Sequence, residues 1–163
     1  MVYSADEIGA RVRALGHSIA EAYRPEDSLL VLGLLKGSFI FLADLVREID
    51  LPLQVDFLVA ASYGSEKVSS GTVRLLYDPE APLEGRAVVV VEDIIDSGKT
   101  LARLLPRLQE RRPRSLEVCA LLHKRLVAME PRWVGFDAPG EFLVGYGLDY
   151  SENFRHLPYI ASL

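Results

Sequence analysis

The feature that most constrains the fold is a short run of valines that ends in two acidic residues. Residues 87–91 are an alanine and four valines, and Glu92 and Asp93 follow directly. An unbroken β-branched run is typical of a central strand in a parallel sheet with both faces covered. We expect this strand to stop at Glu92 and Asp93. Leucines at helical spacing from Leu101 onward then predict a helix that begins near Gly98.

The rest of the chain alternates between apolar strands and amphipathic helices. Ser4 and Glu7 fit a helix capping box, and apolar residues at helical spacing follow up to Tyr23. We also predict a helix over residues 39–49 and strands over residues 29–34, 53–60, 72–77, 116–122, 133–136 and 142–148. Pro106 lies in the helix after Gly98 and should kink or restart it, because the proline ring removes a backbone donor. This order predicts an α/β fold with a central, mainly parallel sheet flanked by helices.

Composition limits the class of protein. With 163 residues, 50% of them hydrophobic and 25% charged, the chain fits one globular domain spanning residues 1–163. The formal net charge of −5 argues against nucleic acid or an anionic membrane surface as the main partner. The lone Cys119 allows no internal disulfide, and no apolar run reaches the roughly 18 residues of a membrane helix. The first residues lack the pattern of a signal peptide, so we expect a cytoplasmic protein.

The helix after the valine strand opens with four residues that can contact a phosphate, namely Ser97, Gly98, Lys99 and Thr100. The first turn of a helix has unpaired backbone N–H groups and a partial positive charge, so it binds phosphate. An ATP- or GTP-binding loop of the pattern G-x-x-x-x-G-K-S/T does not fit, because its first glycine falls on Asp93. Two carboxylates before a short phosphate loop instead suit a sugar phosphate. Glu92 and Asp93 would accept hydrogen bonds from ribose hydroxyls while the loop holds the 5′-phosphate.

Segment 92–100 resembles the phosphoribosyl-pyrophosphate motif of the type I phosphoribosyltransferases. More closely, the chain from about residue 29 onward resembles the hypoxanthine and hypoxanthine-guanine phosphoribosyltransferases. Further matches to that family follow in the same order, in segments 35–38, 62–63, 121–125, 134–136, 142–150 and 154–155. The family's pyrophosphate loop is usually Leu-Lys-Gly-Gly and contains a non-proline cis peptide bond; here Ser38 replaces the second glycine.

The resemblance implies a reaction and its requirements. A 5-phosphoribosyl group would pass from phosphoribosyl pyrophosphate to N9 of a 6-oxopurine, hypoxanthine or guanine, with release of pyrophosphate. Mg²⁺ is the implied cofactor, and homodimers or homotetramers are the implied assemblies. A small hood, formed mainly by about residues 133–163 with help from the N-terminal segment, would cover the purine. The oxocarbenium-like transition state calls for positioning and charge stabilisation rather than covalent catalysis.

The resemblance also assigns roles to individual residues. Asp96 is the expected general base or acid toward purine N7. Ribose and phosphate binding is expected from Glu92, Asp93, Asp96, Ser97, Gly98, Lys99 and Thr100. Pyrophosphate binding is expected from Leu35, Lys36, Gly37 and Arg155. The purine site would comprise Lys124, Phe142, Leu143 and Asp149. Mg²⁺ would be held by Glu92, Asp93 and Asp149, and the mobile loop would begin at Ser62 and Tyr63.

Two alternatives stay open. A xanthine- or guanine-preferring relative would share all these motifs, because selectivity at the purine 2-position depends largely on backbone carbonyls. An RNA-binding regulator on the same scaffold would need a basic surface, and one candidate is the stripe Arg103, Arg107, Arg111, Arg112 and Arg114. The acidic net charge and the purine-type C-terminal segment argue against the regulator.

Overall fold

The computed structural model describes residues 1–62, 73–125 and 129–163. These residues form a six-stranded sheet of order β3-β2-β1-β4-β5-β6. The strands are β1 Leu29–Leu35, β2 Leu53–Ser62, β3 Val73–Tyr77, β4 Ala87–Ile95, β5 Ser115–His123 and β6 Trp133–Asp137. All neighbouring pairs are parallel except β2 and β3, which are antiparallel. The predicted α/β fold with a mainly parallel sheet is confirmed.

Strand β4 lies in the centre of the sheet because its side chains are apolar on both faces. Val88 and Val90 pack into one core layer, and Val89 and Val91 pack into the other. All four are fully buried. Burial of each such side chain stabilises the fold by about 1.5–3 kcal/mol. The valine run therefore ties the two core layers together across the middle of the sheet.

In the part of the chain that the structure describes, three α-helices cover the two faces of the sheet: α1 Ala5–Ala22, α2 Phe39–Arg47 and α3 Lys99–Gln109. The predicted capping box at Ser4 and Glu7 is present at the start of α1. Buried residues of α1 and α2 belong to one core layer, and the leucines of α3 belong to the other. Helix α3 runs through Pro106 to Gln109, so the predicted restart of this helix at Pro106 is wrong. The ring removes the one backbone bond that an N–H at this position would make to the Ala102 carbonyl, and the helix continues past it.

Two strand predictions are also wrong. Strand β4 does not stop at Glu92 and Asp93 but continues to Ile95, paired with β5. The strand predicted over residues 142–148 is limited to β7 Leu143–Val144, which pairs with the unpredicted β8 Ala161–Ser162. The reason for the short β7 is the positive φ of the three residues that follow it, which turns the chain.

The C-terminal segment, residues 138–163, contacts both the N-terminus and α2. Tyr3 bridges to Ile160, and the Val2 N–H donates to the Ile160 carbonyl over 2.7 Å. The Tyr3 ring stacks on Phe136 with ring centroids 4.2 Å apart. Tyr146 is buried, and its hydroxyl donates to Asp44 of α2 over 2.6 Å. These contacts fix the C-terminal segment beside the carboxyl edge of the sheet. Across the described ranges, no helix combines the length and apolarity that crossing a membrane requires.

Candidate functional site

A cavity of about 650 Å³ lies at the carboxyl ends of β1 and β4. Three parts of the chain meet there: the turn after β1, the segment from β4 into α3, and the C-terminal segment. Its wall includes Asp149, predicted for the purine and Mg²⁺, and every residue predicted for ribose, phosphate and pyrophosphate, namely Leu35, Lys36, Gly37, Glu92, Asp93, Asp96, Ser97, Gly98, Lys99, Thr100 and Arg155. Ligands of open parallel sheets bind at this edge.

The start of α3 forms one corner of the cavity. Gly98 takes a left-handed conformation with φ of 65°, which glycine adopts without steric cost, and Lys99 begins the helix. No side chain caps α3 at Gly98, so the first-turn N–H groups stay available to a ligand. Ser97 and Lys99 are exposed beside them. This corner has the donors and the dipole orientation that a phosphate group requires.

The two carboxylates of β4 differ in their surroundings. Glu92 is buried, and burial together with the neighbouring charge of Asp93 raises the pKa of the Glu92 carboxyl well above its usual range. Asp93 is partly exposed, and its Oδ1 accepts the N–H of Ile94 over 2.8 Å. Because the strand continues through both residues, the backbone rather than a loop fixes their positions.

The turn after β1 packs tightly against these carboxylates. The peptide bond between Leu35 and Lys36 is cis, as the resemblance implied. A Cβ at Gly37 would overlap the Asp93 carboxylate, and a Cβ at Gly147 would collide with the Gly37 carbonyl. Gly37 is thus enclosed between β4 and the C-terminal segment. No local sequence pattern indicates the contact with Gly147, because the two glycines are far apart along the chain.

Ser38 fits the position where the family usually has glycine. Its backbone has φ of −77° and ψ of −5°, an ordinary right-handed conformation that any residue adopts. The side chain is fully buried, and its hydroxyl donates to the Leu34 carbonyl over 2.7 Å. The substitution therefore adds an internal bond to the turn between β1 and α2 instead of straining it.

Asp96 and Lys124 approach each other from neighbouring strands. Asp96 follows β4, Lys124 follows β5, and the Lys124 Nζ lies 3.5 Å from the Asp96 Oδ2. The Lys124 N–H donates to the Ile95 carbonyl over 3.0 Å, which holds the two strand ends together. The lysine side chain is 13% exposed and the aspartate 58%. The expected base and the expected purine-reading cation therefore lie beside each other.

Of the four residues predicted for the purine, Asp149 lies in the cavity wall, and the other three do not. Lys124 contacts the wall residues Ile95 and Asp96, and Leu143 is buried in β7. Phe142 is half exposed and meets the edge of the Tyr150 ring, with centroids 5.6 Å apart. Tyr150 directly follows the wall residue Asp149. The structure thus places Phe142 next to the cavity's C-terminal wall, on the solvent side.

Arg155 is the most highly connected cation in the cavity wall. It donates from Nη1 to the Gly147 carbonyl over 2.7 Å, and its Nη2 lies 2.8 Å from the Asp149 Oδ1. Glu152 also lines the cavity, although the sequence analysis did not single it out. Its spacing of three residues from both Asp149 and Arg155 was the signal available. Of the two residues predicted to begin a mobile loop, Tyr63 lies outside the described residues, and Ser62 is the last residue of β2.

The carboxylate oxygens in the cavity wall suit a divalent cation that binds together with a substrate. Among the described residues, no three acidic, histidine or cysteine side chains are grouped closely enough to enclose a metal. Mg²⁺ is usually held by one or two carboxylates, water and substrate phosphates rather than by a complete protein cage. The carboxylates of Glu92, Asp93 and Asp149 line the same cavity and fit that mode of binding.

The comparisons with known proteins agree with this geometry. A model of the phosphoribosyl transferase domain matches residues 2–151, which is most of the chain. The chain belongs to the phosphoribosyltransferase family.

Particular relatives carry the comparison further. A hypoxanthine phosphoribosyltransferase of Salmonella typhimurium is 47% identical, over 96% of this chain and 90% of the relative. A hypoxanthine-guanine phosphoribosyltransferase of Mycobacterium avium is 46% identical, over 100% of this chain and 84% of the relative. A hypoxanthine-guanine phosphoribosyltransferase structure from Bacillus anthracis superposes with a TM-score of 0.93 at 40% identity, covering 100% of this chain and 97% of the other. The predicted resemblance to the hypoxanthine and hypoxanthine-guanine enzymes is confirmed.

We predict that Gly37→Ala lowers the kcat/KM of phosphoribosyl transfer by about 100-fold, because the added methyl group displaces the turn from Asp93. Steady-state kinetics measures the loss. Gly140→Ala is the matched control, since a Cβ at Gly140 meets no atom within 4 Å. Equal activity in the two variants would contradict the tight packing of Gly37.

Proposed function

We propose that this protein transfers the 5-phosphoribosyl group of phosphoribosyl pyrophosphate to N9 of hypoxanthine or guanine, yielding the nucleoside monophosphate and pyrophosphate. The observation that carries the proposal is the single cavity in which the phosphate corner of α3, the Gly37 turn and Arg155 meet. Membership of the phosphoribosyltransferase family over most of the chain supports the same reaction, which is a step of purine salvage.

The donor would bind along the carboxyl edge of the sheet. Its 5′-phosphate would accept hydrogen bonds from the backbone N–H groups in the first turn of α3 and from the hydroxyls of Ser97 and Thr100. The ribose hydroxyls would donate to Glu92 and Asp93, which β4 holds rigidly. The pyrophosphate would lie against the backbone of the Gly37 turn. These three contacts fix the ribose so that one face of its anomeric carbon is open to the purine.

The purine would be held and activated by Lys124, Asp96 and Phe142. The Lys124 ammonium would donate to the 6-oxo oxygen, and Asp96, 3.5 Å away, would exchange a proton with N7. The Phe142 ring, which packs edge-on against Tyr150, would stack on the base while the Leu143 backbone reads its edge. The positive charge that develops on the ribose would be stabilised by the nearby carboxylates.

We also propose that the transfer depends on Mg²⁺, held by Asp149 and by the carboxylates of Glu92 and Asp93. The bound cation supplies positive charge that offsets the negative charge of the departing pyrophosphate. The support for this proposal is the set of three carboxylates on one cavity wall. We place the reaction in the cytoplasm, since the lone Cys119 is buried as a free thiol, which suits a reducing compartment.

Steady-state kinetics with four bases tests the proposed function. Hypoxanthine, guanine, xanthine and uracil are each supplied with phosphoribosyl pyrophosphate, with and without Mg²⁺. We expect turnover of hypoxanthine or guanine, none of uracil, and loss of activity when EDTA removes the metal. Preferential use of xanthine would favour the alternative relative, and no turnover of any purine would contradict the proposal.

An RNA-binding regulator is less well supported by the structure. Three arginines of the basic stripe are ion-paired: Arg111 with Asp78 at 2.9 Å, Arg112 with Glu84 at 2.8 Å, and Arg114 with Asp27 at 2.6 Å. Their charge is therefore partly neutralised within the protein. Filter binding to RNA at rising salt would detect a regulator as tight, salt-sensitive binding.

We propose that copies of this chain associate as a homodimer or a homotetramer. An apolar patch at the edge of the sheet supports this, because Val55, Phe57 and Tyr77 are exposed there. Strand register places Tyr77 beside Val59, on the same face as the other two side chains.

Sedimentation should therefore give a mass of two or four chains for the wild-type protein. Phe57→Ser should shift this mass toward one chain, because it removes the largest apolar side chain of the patch. Leu163→Ser, which alters an exposed apolar residue elsewhere, should leave the mass unchanged. A wild-type protein that sediments as a single chain would contradict the assembly.

We predict that Asp96→Asn lowers kcat by about 100-fold or more and leaves the KM for phosphoribosyl pyrophosphate nearly unchanged, because the amide cannot exchange the proton with N7. Steady-state kinetics separates the two constants. Asp50→Asn alters an aspartate at the opposite edge of the sheet and is the matched control. Wild-type turnover by Asp96→Asn would show that this carboxylate is not the general base.

A further inference from the structure

The proposed pyrophosphate subsite contains an acidic side chain that pairs with its cations. Glu152 lines the cavity together with Lys36, Asp149 and Arg155. Its Oε2 atom lies 3.1 Å from the Lys36 Nζ and 3.5 Å from the Arg155 Nη2. One carboxylate oxygen therefore bridges two cations from separate parts of the chain, Lys36 in the turn after β1 and Arg155 in the C-terminal segment.

The backbone holds Glu152 in this position. The Glu152 N–H donates to the Asp149 Oδ2 over 2.8 Å. Ser151 and Glu152 have φ of 51° and 65°, in the left-handed region that non-glycine residues enter only when their surroundings require it. The N–H and carbonyl groups of Tyr150 and Asn153 exchange hydrogen bonds of 3.2 and 3.0 Å across this turn. The turn thus fixes the carboxylate toward Lys36 and Arg155.

The Lys36–Glu152 half of the bridge is exposed and therefore weak, whereas the Arg155 side chain is 19% exposed. The side chains of Lys36 and Glu152 are 67% and 66% exposed, and ion pairs in such high-dielectric surroundings contribute little. A diphosphate group carries several negative charges, so it would compete effectively for the same cations. Once it is bound, the Glu152 charge would lie beside it and repel it.

We propose that Glu152 pairs with Lys36 and Arg155 when the site is empty, and that the diphosphate of the donor displaces it from them. Its negative charge then lowers the affinity of the site for the product pyrophosphate. This rests on the proposed function, because it takes the Gly37 turn and Arg155 as the pyrophosphate subsite. Glu152 is a positioning residue: it acts through the two cations and not on the reacting atoms. Glu152 therefore speeds the release of pyrophosphate and lowers the affinity of the protein for it.

Inorganic pyrophosphate with Mg²⁺, titrated calorimetrically into the intact protein, is the probe. Glu152→Gln keeps the shape of the side chain and removes its charge, so it should bind pyrophosphate about 3- to 10-fold more tightly. The matched control is Glu84→Gln, which breaks the ion pair between Glu84 and Arg112. These side chains are similarly exposed, 67% for Glu84 and 78% for Arg112, and Glu84 precedes the amino end of β4. That control should bind pyrophosphate like the wild type.

Three further measurements separate this role from a structural one. Glu152→Gln should leave the affinity for inosine monophosphate unchanged, since that nucleotide lacks the diphosphate. In a Lys36→Met background the gain from Glu152→Gln should shrink, because one of the two bridged cations is gone. Glu152→Ala should reproduce the gain, which guards against an effect peculiar to the glutamine side chain.

The outcomes distinguish the two proposals. If the wild type binds pyrophosphate and both Glu152 variants bind it no more tightly than Glu84→Gln does, the role of Glu152 is wrong and the proposed function stands. A gain that extends equally to inosine monophosphate would also overturn the role. If the wild type binds neither pyrophosphate nor inosine monophosphate, the proposed function fails, and the role of Glu152 fails with it.

Discussion

The site depends on the burial of β4 between two core layers. Its valines alternate between the layers and leave no freedom for the strand to tilt or slip. A one-residue change of register would exchange the two sets of side chains, so the packing specifies the register strongly. Because β4 continues to Ile95, this rigidity reaches Glu92 and Asp93 at the cavity. The apolar core thereby positions polar groups that would be less constrained on a loop.

The site also depends on contacts between segments that are distant in sequence. The Gly37 turn lies between the Asp93 carboxylate and Gly147, and the neighbouring Lys36 forms an ion pair with Glu152. Each contact joins the sheet to the C-terminal segment, which itself has little regular structure beyond β7 and β8. The geometry of the proposed pyrophosphate subsite therefore depends on how that segment packs. It is a property of the whole fold rather than of one motif.

The sequence predicted the sheet and its helices well because their signals are local. The capping box at Ser4, the valine run and the leucines of α3 each depend on neighbours within a few residues, and each of these elements is present. The C-terminal segment was predicted poorly. Its backbone is governed by positive φ at Tyr146 and by pairing with Leu157, which no local pattern reveals. The role of Glu152 in the cavity wall was not predicted for a similar reason, since its ion-pair partner Lys36 lies in a distant part of the chain.

The pairing of Val2 and Tyr3 with Ile160 has a practical consequence for handling the protein. Tyr3 also stacks on Phe136, and Leu163 donates its N–H to the carbonyl of Phe142. An affinity tag fused at either end would therefore press on the segment that carries the expected base-stacking ring. Tags on this protein are best attached through a spacer long enough to leave these terminal backbone pairs undisturbed.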